Sequence, residues 1–569
     1  MNKSQNMYSH KILNIATPDI SLQDTLSHEF GISKITAQLL LNRGIQSIPE
    51  AHKFLDATLE HLLDPFSFSD MRLAVNLIKK SAKDNEKVMV YGDYDVDGIT
   101  SLVLLKSTLL KMGMEVIHYI PHRIKEGYGL NQTIVKTAKE KNVKLLITAD
   151  CGTNSVSPIR ELRRQHIEVI VTDHHEPGSS DTANYASAVI NPKLAASGYK
   201  YRDLAGVGVA YKLCQAVSGE PLQEDLDLVS LGTIADSVPL TGENRIIARE
   251  GLERVCRTER LGLKTLIESS GIKNKKITPG YVSFILGPRI NASGRLDTAE
   301  TALNLLMSRD LQEARILART METHNRQRQK IENEILKEAQ ELINKEINFK
   351  EQKVMVVAKE GWHLGVLGIV AAKLADRFYR PAILISLNGG LCRGSGRSIK
   401  NFHLFNGLLE CSGLLENFGG HQYAIGMVIP QDNIEEFKNK INSFANKSLR
   451  LEDLIPSLDI DMILGLSDLN EGFIRELENL EPFGAGNPEP LFYTRNLKLK
   501  GQPRIFSNDT LKFWVTDGEL TYPAIGFGMG NLRESLVAAD GFDLAYTPGV
   551  DTWRGEESIL LEIKEIFLK

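Results

Sequence analysis

The stretch VYGDYDVDGITS, Val90 to Ser101, decides how the rest of the chain is read. The apolar run Val88-Met89-Val90 has the character of a buried strand, and Asp93, Asp95 and Asp97 follow it at alternate positions. Like charges this close raise one another's pKa unless something positive sits among them. An aspartate after a strand is commonly a turn residue or a helix N-cap, and Asp97-Gly98 before Ile99 fits such a cap. A solvated turn tolerates three carboxylates. A metal site requires them.

Outward from this stretch, short β-rich runs alternate with helical segments over residues 76–310. Lys87 to Val90, Glu115 to Ile120, Val143 to Thr148, Ile167 to Thr172 and Ala186 to Ile190 read as strands. Ser101 to Lys111 and Gln132 to Lys141 have helical periodicity. That alternation predicts a parallel sheet of the α/β class. Carboxylate or imidazole follows further apolar runs: Asp150 in TADCGT, Asp173, His174 and His175 in VTDHHE, and Asp236 in LGTIADSVPL. Ligands of open α/β sheets bind beyond the carboxyl ends of the strands, so these turns are expected to converge on one crevice. Carboxylate and imidazole without thiolate suit Mn²⁺ or Mg²⁺, and the histidines favour Mn²⁺. Five or six such ligands exceed what one ion takes while leaving positions for water. Two ions are therefore expected, and two-metal sites serve phosphoester hydrolysis.

At 569 residues the chain exceeds one hydrophobic core, which predicts about two to four domains. Residues 1–75 read as a helical preface, with Leu39, Leu40, Leu41, Ala51, Phe54 and Leu55 at helical spacing. From Asp310 to Ile347 there is no Gly or Pro, and Leu317, Met321, Ile331, Ile335, Leu342 and Ile347 recur at helical spacing. A connecting helix, one long or two abutting, is expected over 311–350. A second α/β domain is expected over 351–449 and a small β-barrel over 450–569, where β runs meet the turn dipeptides Asn508-Asp509 and Asp517-Gly518.

Several classes are disfavoured. The five cysteines are scattered without a C-x-x-C pair, against a disulfide framework or structural zinc and in keeping with a reducing cytoplasm. The N-terminal MNKSQNMYSHKILN lacks the apolar core of a signal peptide. Nothing approaches the roughly 18 uninterrupted apolar residues of a membrane span. A net charge of −5 gives no global attraction to nucleic acid, so binding would need local cations. They exist: from Arg377 to Leu409 the chain has Arg377, Arg380, Arg393, Arg397 and Lys400 with no Asp or Glu. Within it CRGSGRS, Cys392 to Ser398, interleaves small residues with arginines. Small residues let backbone N–H groups approach an anion while guanidinium grips phosphate. Arg289 and Arg295, in GPRINASGR, have the same character.

GDYDVDG, TADCGT, VTDHHE and LGTIADSVPL, in this order and spacing, resemble the motifs of the DHH phosphoesterase superfamily. PHRIKEGYGL (Pro121 to Leu130), LAGVGVAYKL (Leu204 to Leu213) and GPRINASGRLDTA (Gly287 to Ala299) narrow the resemblance to the RecJ exonucleases. So do GWHLGVLGIVAAKLADRFYRPA (Gly361 to Ala382), the Gly419-Gly420-His421 turn and LEPFGAGNPEP (Leu480 to Pro490). The resemblance implies a DHH domain, a connecting helix, a DHHA1 domain and an OB-fold domain. It implies a 5′→3′ exonuclease specific for single-stranded DNA, using two divalent cations (Mn²⁺ or Mg²⁺) and releasing 5′ mononucleotides in DNA repair and recombination. By the same resemblance Asp95, Asp97, Asp150, His174, His175 and Asp236 match the catalytic metal ligands, with Asp93 a further candidate and Asp173 orienting a histidine. Ser395 and Arg397 match residues that hold the 5′ phosphate, Arg123 another phosphate-contacting arginine and Arg289 one near the scissile group, and His421 is expected to face the same cleft.

One departure stands out: many DHH proteins carry a metal-binding His where this chain has Tyr91. The ion near Asp95 is therefore expected to have fewer protein ligands, with water or Asp93 compensating. The implied partner is single-stranded DNA with a 5′ phosphate, alongside a helicase and a single-strand-binding protein. The enzyme would act as a cytoplasmic monomer with no membrane association. Phe492, Tyr493, Phe506 and Trp514 are available to stack on bases in an OB fold. Two alternatives stay open. One is a DHH hydrolase of pyrophosphate, cyclic dinucleotides or very short oligonucleotides, which usually lacks the preface and the C-terminal β segment. The other is a replication scaffold, which would have lost metal ligands that are all present here.

Overall fold

β1 (Val88–Gly92) is buried along its whole length, as a central strand covered on both faces must be. In the computed structural model, which describes residues 11–178, 182–553 and 556–569, it sits inside a five-stranded sheet. Residues 1–10, most of the stretch read for a signal peptide, lie outside the described residues. The other strands are β2 (Val116–Tyr119), β3 (Leu145–Ala149), β4 (Glu168–Thr172) and β5 (Ala188–Ile190). All pairings are parallel, in the order β2-β1-β3-β4-β5. The sequence places the same five strands, with ends that differ by a residue or two, as helix and strand termini usually do. The chain leaves β1 for β2 on one side and returns to β3 on the other. That reversal is the switch point beside which ligand crevices open.

Helices cover this sheet. α1 (Val96–Lys111) starts directly after the aspartate run and packs against α2 (Gly206–Ser218) and α3 (Leu226–Ala235). α4 (Gly287–Leu296) follows a π-helical turn, Val282–Leu286. α5 (Leu311–Glu346) is one unbroken helix of 36 residues, capped by the Asp310 carboxylate accepting from the Glu313 N–H at 2.7 Å. Its mixed composition is resolved by burial: Arg328 donates to Asn325 and Glu332 inside the packed face.

α5 leads into a second, mixed sheet ordered β9-β10-β8-β7-β6. Its strands are β6 (Met355–Glu360), β7 (Ala382–Leu387), β8 (Leu391–Arg397), β9 (Asn417–Gly420) and β10 (Ala424–Pro430). α6 (Leu364–Phe378) packs on β7 and β8 and against α5. Both sheets belong to one compact unit, Leu63–Val238 with Glu250–Pro456.

The smaller unit combines the described residues up to Leu62, Pro239–Arg249 and Ser457–Lys569. β11 (Phe492–Phe506), β12 (Thr510–Thr516), β13 (Thr521–Gly526), β14 (Phe542–Trp553) and β15 (Glu556–Leu568) run in the order β11-β12-β13-β15-β14. β14 pairs back onto β11, which closes the barrel. The turns at Asn508-Asp509 and Asp517-Gly518 fall between β11 and β12 and between β12 and β13, as the dipeptides predict. Leu39, Leu40, Ala51 and Phe54 of the preface share one core with Phe492, Phe513 and Phe542 of the barrel. Arg245, 1% exposed, ties this unit together by donating to the carbonyls of Phe54, Asn479 and Leu480. Phe492 and Tyr493 are buried and unable to meet a base, whereas Phe506 and Trp514 are exposed.

Among the described residues all five cysteines are free, and no helix is long and apolar enough to cross a membrane.

Candidate functional site

The turns beyond β1, β3 and β4 meet at the switch point, joined by the end of α3. Asp95 is the N-cap of α1, its Oδ1 accepting from the Gly98 N–H at 3.1 Å. The cap is therefore Asp95, and Asp97 lies in the first turn. Asp97 is fixed from the other side, accepting from the Gly206 and Val207 N–H groups at the start of α2, both at 2.7 Å. Asp150 adopts the left-handed conformation (φ 63°), which Asp tolerates better than most residues. A glycine at 206 is needed beside it, because a Cβ there would stand 2.5 Å from Asp150 Oδ1. Asp236 follows a helix rather than a strand: it is the C-cap of α3.

These elements gather three overlapping groups whose potential ligand atoms lie within 4.8 Å of one another: Asp93, Asp95 and Asp150; Asp97, His174 and Asp236; Asp150, His174 and His175. His174 Nε2 is 3.2 Å from Asp150 Oδ1, 3.5 Å from Asp236 Oδ2 and 3.8 Å from Asp97 Oδ2. Asp150 is common to two of the groups, the position a shared carboxylate between two ions would take. Asp173 differs from the rest. Its oxygens accept from the N–H groups of Thr153, His174 and His175, and Oδ1 is 2.7 Å from His175 Nδ1. With its acceptor capacity filled locally, it orients His175 in the way that outer carboxylates fix a metal-binding ring.

The electrostatics carry the same message. Burial first, and neighbouring aspartates second, push Asp93, Asp150 and Asp236 well above the usual carboxylate range and Asp97 to about 7. Burial and the adjacent His175 charge lower His174 to about 3, so its ring is neutral. Burial also opposes protonation of His175, but the hydrogen bond and charge of Asp173 prevail and raise it to about 9. Asp93 Oδ1, Asp150 Oδ1 and His174 Nε2 are buried without a hydrogen-bond partner among the described residues. Buried polar atoms are seldom left so. Divalent cations fit the donor set: they would satisfy these atoms and relieve the carboxylate repulsion together.

Tyr91 does not leave a gap in this arrangement. Its side chain is turned into the core beneath the sheet, stacked on Tyr119 and donating to the Gly129 carbonyl at 2.8 Å. Asp93 stands in the acidic group instead. Tyr128, in the quoted KEGYGL motif but not singled out from sequence, places its hydroxyl 2.8 Å from His175 Nδ1. Only its exposure (51%) beside a metal-type histidine marks it, and that requires the fold.

A cationic group lies beside the acidic one. Arg123 stacks over Tyr94 at 4.8 Å, and Arg295 donates to the Gly365 carbonyl at 3.0 Å at the start of α6. Burial, then the charges of Arg123, Arg328 and Arg397, lower Arg295 to about 9, while Asp95 works the other way. Arg397 is lowered by burial and by Arg123. These arginines therefore face one another without a full set of carboxylates. Ser395 and Arg397 lie on β8 under α6, where a Cβ on Gly368 would come within 3.1 Å of Ser395 Oγ and 3.0 Å of an Arg397 guanidinium nitrogen. His421 lies in the tight turn between β9 and β10, and burial, then the charges of Arg397, His403, His175 and Lys193, lower its pKa. Arg289 is tied to Glu322 of α5 at 2.9 Å and to the Ile285 carbonyl at 2.8 Å, donating to both.

Comparison with known proteins agrees with this geometry. Family models for the DHH family, N-terminal domain, the DHHA1 domain and the RecJ OB domain match residues 87–233, 351–447 and 460–565. The chain is 39% identical to the single-stranded-DNA-specific exonuclease RecJ of Bacillus subtilis, over 97% of this chain and 70% of that protein. It is 32% identical to the Escherichia coli exonuclease of the same name, over 93% and 95%. The crystal structure of Thermus thermophilus RecJ in complex with Mn²⁺ superposes with a TM-score of 0.84 at 27% identity, covering 98% of this chain and 79% of that one. On these grounds, and on the three domain types in this order, the chain belongs to the RecJ family of DHH phosphoesterases.

Proposed function

We propose that this protein is a 5′→3′ exonuclease that hydrolyses single-stranded DNA to 5′ mononucleotides, acting in DNA repair and recombination. One observation carries the reading: an acidic and imidazole centre and a half-buried group of arginines lie within electrostatic reach of each other in one compact unit. Two divalent cations, Mn²⁺ or Mg²⁺, would be held by Asp95, Asp97, Asp150, His174, His175 and Asp236, with Asp93 as a further ligand. When bound, such ions lower the pKa of water and offset negative charge on a scissile phosphoryl group and its leaving oxygen.

The chain's own residues do the rest. Gly206 and Val207 N–H groups aim Asp97, and Asp173 aims His175. Arg123, Arg397 and Ser395 receive the terminal 5′ phosphate, with Arg295 adding charge behind them. A terminal phosphate dianion attracts a cluster of guanidinium groups more strongly than a singly charged diester does. Arg289, tied to Glu322, and His421 border the scissile group. In the smaller unit, Trp514 and Phe506 stand exposed on the barrel, with Lys500 paired across from Trp514 and Arg504 across from Lys512. Basic residues interleaved with aromatics form a surface that tracks a single strand.

The functional division we adopt is a helical segment over 1–75, a DHH catalytic domain over 76–310, a connecting helix over 311–350, a DHHA1 substrate-binding domain over 351–449 and an OB-fold domain over 450–569. The enzyme acts as a cytoplasmic monomer on strands supplied by a helicase and shared with a single-strand-binding protein.

The test is product analysis on end-labelled single-stranded and duplex DNA, with 5′ phosphate or 5′ hydroxyl, with Mn²⁺ and Mg²⁺ in turn. Mononucleotides from the 5′ end of the phosphorylated single strand are expected. Release from the 3′ end overturns the polarity. Equal rates on a dinucleotide and a long strand turn the assignment to a short-oligonucleotide hydrolase.

A further inference from the structure

The carboxyl edge of the first sheet extends beyond the acidic centre. Read in spatial order, β2 leads to Arg123, β1 to Asp93, Asp95 and Asp97, β3 to Asp150, β4 to Asp173, His174 and His175, and β5 to Asn191 and Lys193. Neighbouring strands lie about 4.8 Å apart, so the row from β2 to β5 spans roughly 19 Å with the acidic centre in its middle. Arginine stands at one end and lysine at the other.

Lys193 is anchored to the histidine loop. Its N–H donates to Asn191 Oδ1 at 2.8 Å, and Asn191 Nδ2 donates to the His175 carbonyl at 2.9 Å and to the Thr153 hydroxyl at 2.8 Å. Arg202 donates to the Lys193 carbonyl at 2.8 Å. The Lys193 side chain is 20% exposed and pairs at 3.3 Å with Glu176, which is itself 74% exposed. An ion pair with so solvated a partner is worth little, so it does not account for holding an ammonium group there.

We propose that the Lys193 ammonium binds a DNA backbone phosphate on the 3′ side of the scissile bond, positioning the part of the strand that stays after the mononucleotide leaves. This rests on the exonuclease reading above. With the 5′ phosphate among the arginines and the scissile group at the acidic centre, a strand laid along the sheet edge arrives next at β5. A compact ammonium group on a flexible stem suits a diester phosphate, which carries a single negative charge. Lys193 is a positioning residue, distinct from the metal-holding set.

The experiment compares wild type, Lys193→Gln and Glu176→Gln, with Mn²⁺, on a 5′-phosphorylated dinucleotide and on a long 5′-phosphorylated single strand. The dinucleotide has no phosphate 3′ of its scissile bond. Lys193→Gln is expected to raise KM on the long strand about tenfold with kcat kept, as for loss of one charged hydrogen bond. It should leave kcat/KM on the dinucleotide unchanged. The slope of log affinity against log salt should fall by about 0.7. A methylphosphonate at the second internucleotide linkage should cost wild type about as much as the substitution and cost Lys193→Gln nothing more. Glu176→Gln should behave as wild type. An equal loss on both substrates, or an undiminished methylphosphonate penalty in Lys193→Gln, makes Lys193 a structural residue and removes the assignment. If wild type itself releases nothing from the 5′ end, the exonuclease reading falls and takes this contact with it.

Discussion

At the switch point of the first sheet, aspartates crowd together with two histidines; a short way across the cleft, Arg123, Arg295 and Arg397 crowd together with the opposite sign. Each group sits among its own kind of charge, the aspartates largely buried and the arginines half-buried, and in each desolvation drives pKa values toward the neutral form. The smaller unit holds a contrasting case. Arg245 is more deeply buried than Arg295, yet each of its three nitrogens donates to a backbone carbonyl and Phe54 covers its face at 3.8 Å. A buried guanidinium surrounded by acceptors holds a fold together. One surrounded by other guanidinium groups is built for an anion that comes and goes.

The sharpest way to break this comparison is Asp150→Asn. If the acidic centre exists for cations, activity should fall at least about a thousandfold, as when one member of a catalytic unit is removed. The same change should raise the melting temperature of the metal-free protein, because a buried like charge has gone, and should abolish the rise in melting temperature on adding Mn²⁺. A metal-free protein destabilised by the substitution would contradict the repulsion described here. Next is Arg245→Met, which takes the guanidinium donors from the carbonyls of Phe54, Asn479 and Leu480, of which Leu480 keeps the Asn487 side chain. It should cost about 3 kcal/mol or more in denaturant unfolding of the smaller unit, with kcat of the folded enzyme kept. Arg397→Ala should be the reverse: little change in unfolding, and KM raised about 10- to 100-fold for a 5′-phosphorylated strand but not for a 5′-hydroxyl strand. Equal losses on both strands would mean that the arginines read the backbone rather than the terminus. The smallest effect is expected for Trp514→Ala, about fivefold or more in affinity for a long single strand by fluorescence anisotropy, the range of one stacked base.

Much of this was legible in the sequence because the decisive residues are local to their strands. A buried run followed by Asp-x-Asp-x-Asp, or by Asp-His-His, puts its polar groups at a strand end whatever the rest of the chain does. Features created by distant packing were not legible. Asp236 reads as the end of an apolar run, but the run is α3 and reaches the centre only because that helix points at it. Arg295 reads as one more arginine, and its partners lie on three other elements. Tyr91 reads as a missing ligand, since periodicity alone cannot show that β1 directs that side chain into the core. The shared core of preface and barrel joins the two ends of the sequence, and no local pattern announces it.

The unbroken α5 has a mechanical consequence. Thirty-six residues without Gly or Pro make a rod of roughly 54 Å at 1.5 Å per residue, with no soft point at which to bend. The lobes it joins are also pinned where Arg295 meets Gly365 and where Arg393 donates to the Ile124 carbonyl at 2.8 Å. Since Ser395 and Arg397 come from one lobe and the acidic centre from the other, the gap between them behaves as a fixed gauge. If the 5′ phosphate is held at one end of that gap as proposed, product length is not chosen at each turnover but set by the fold.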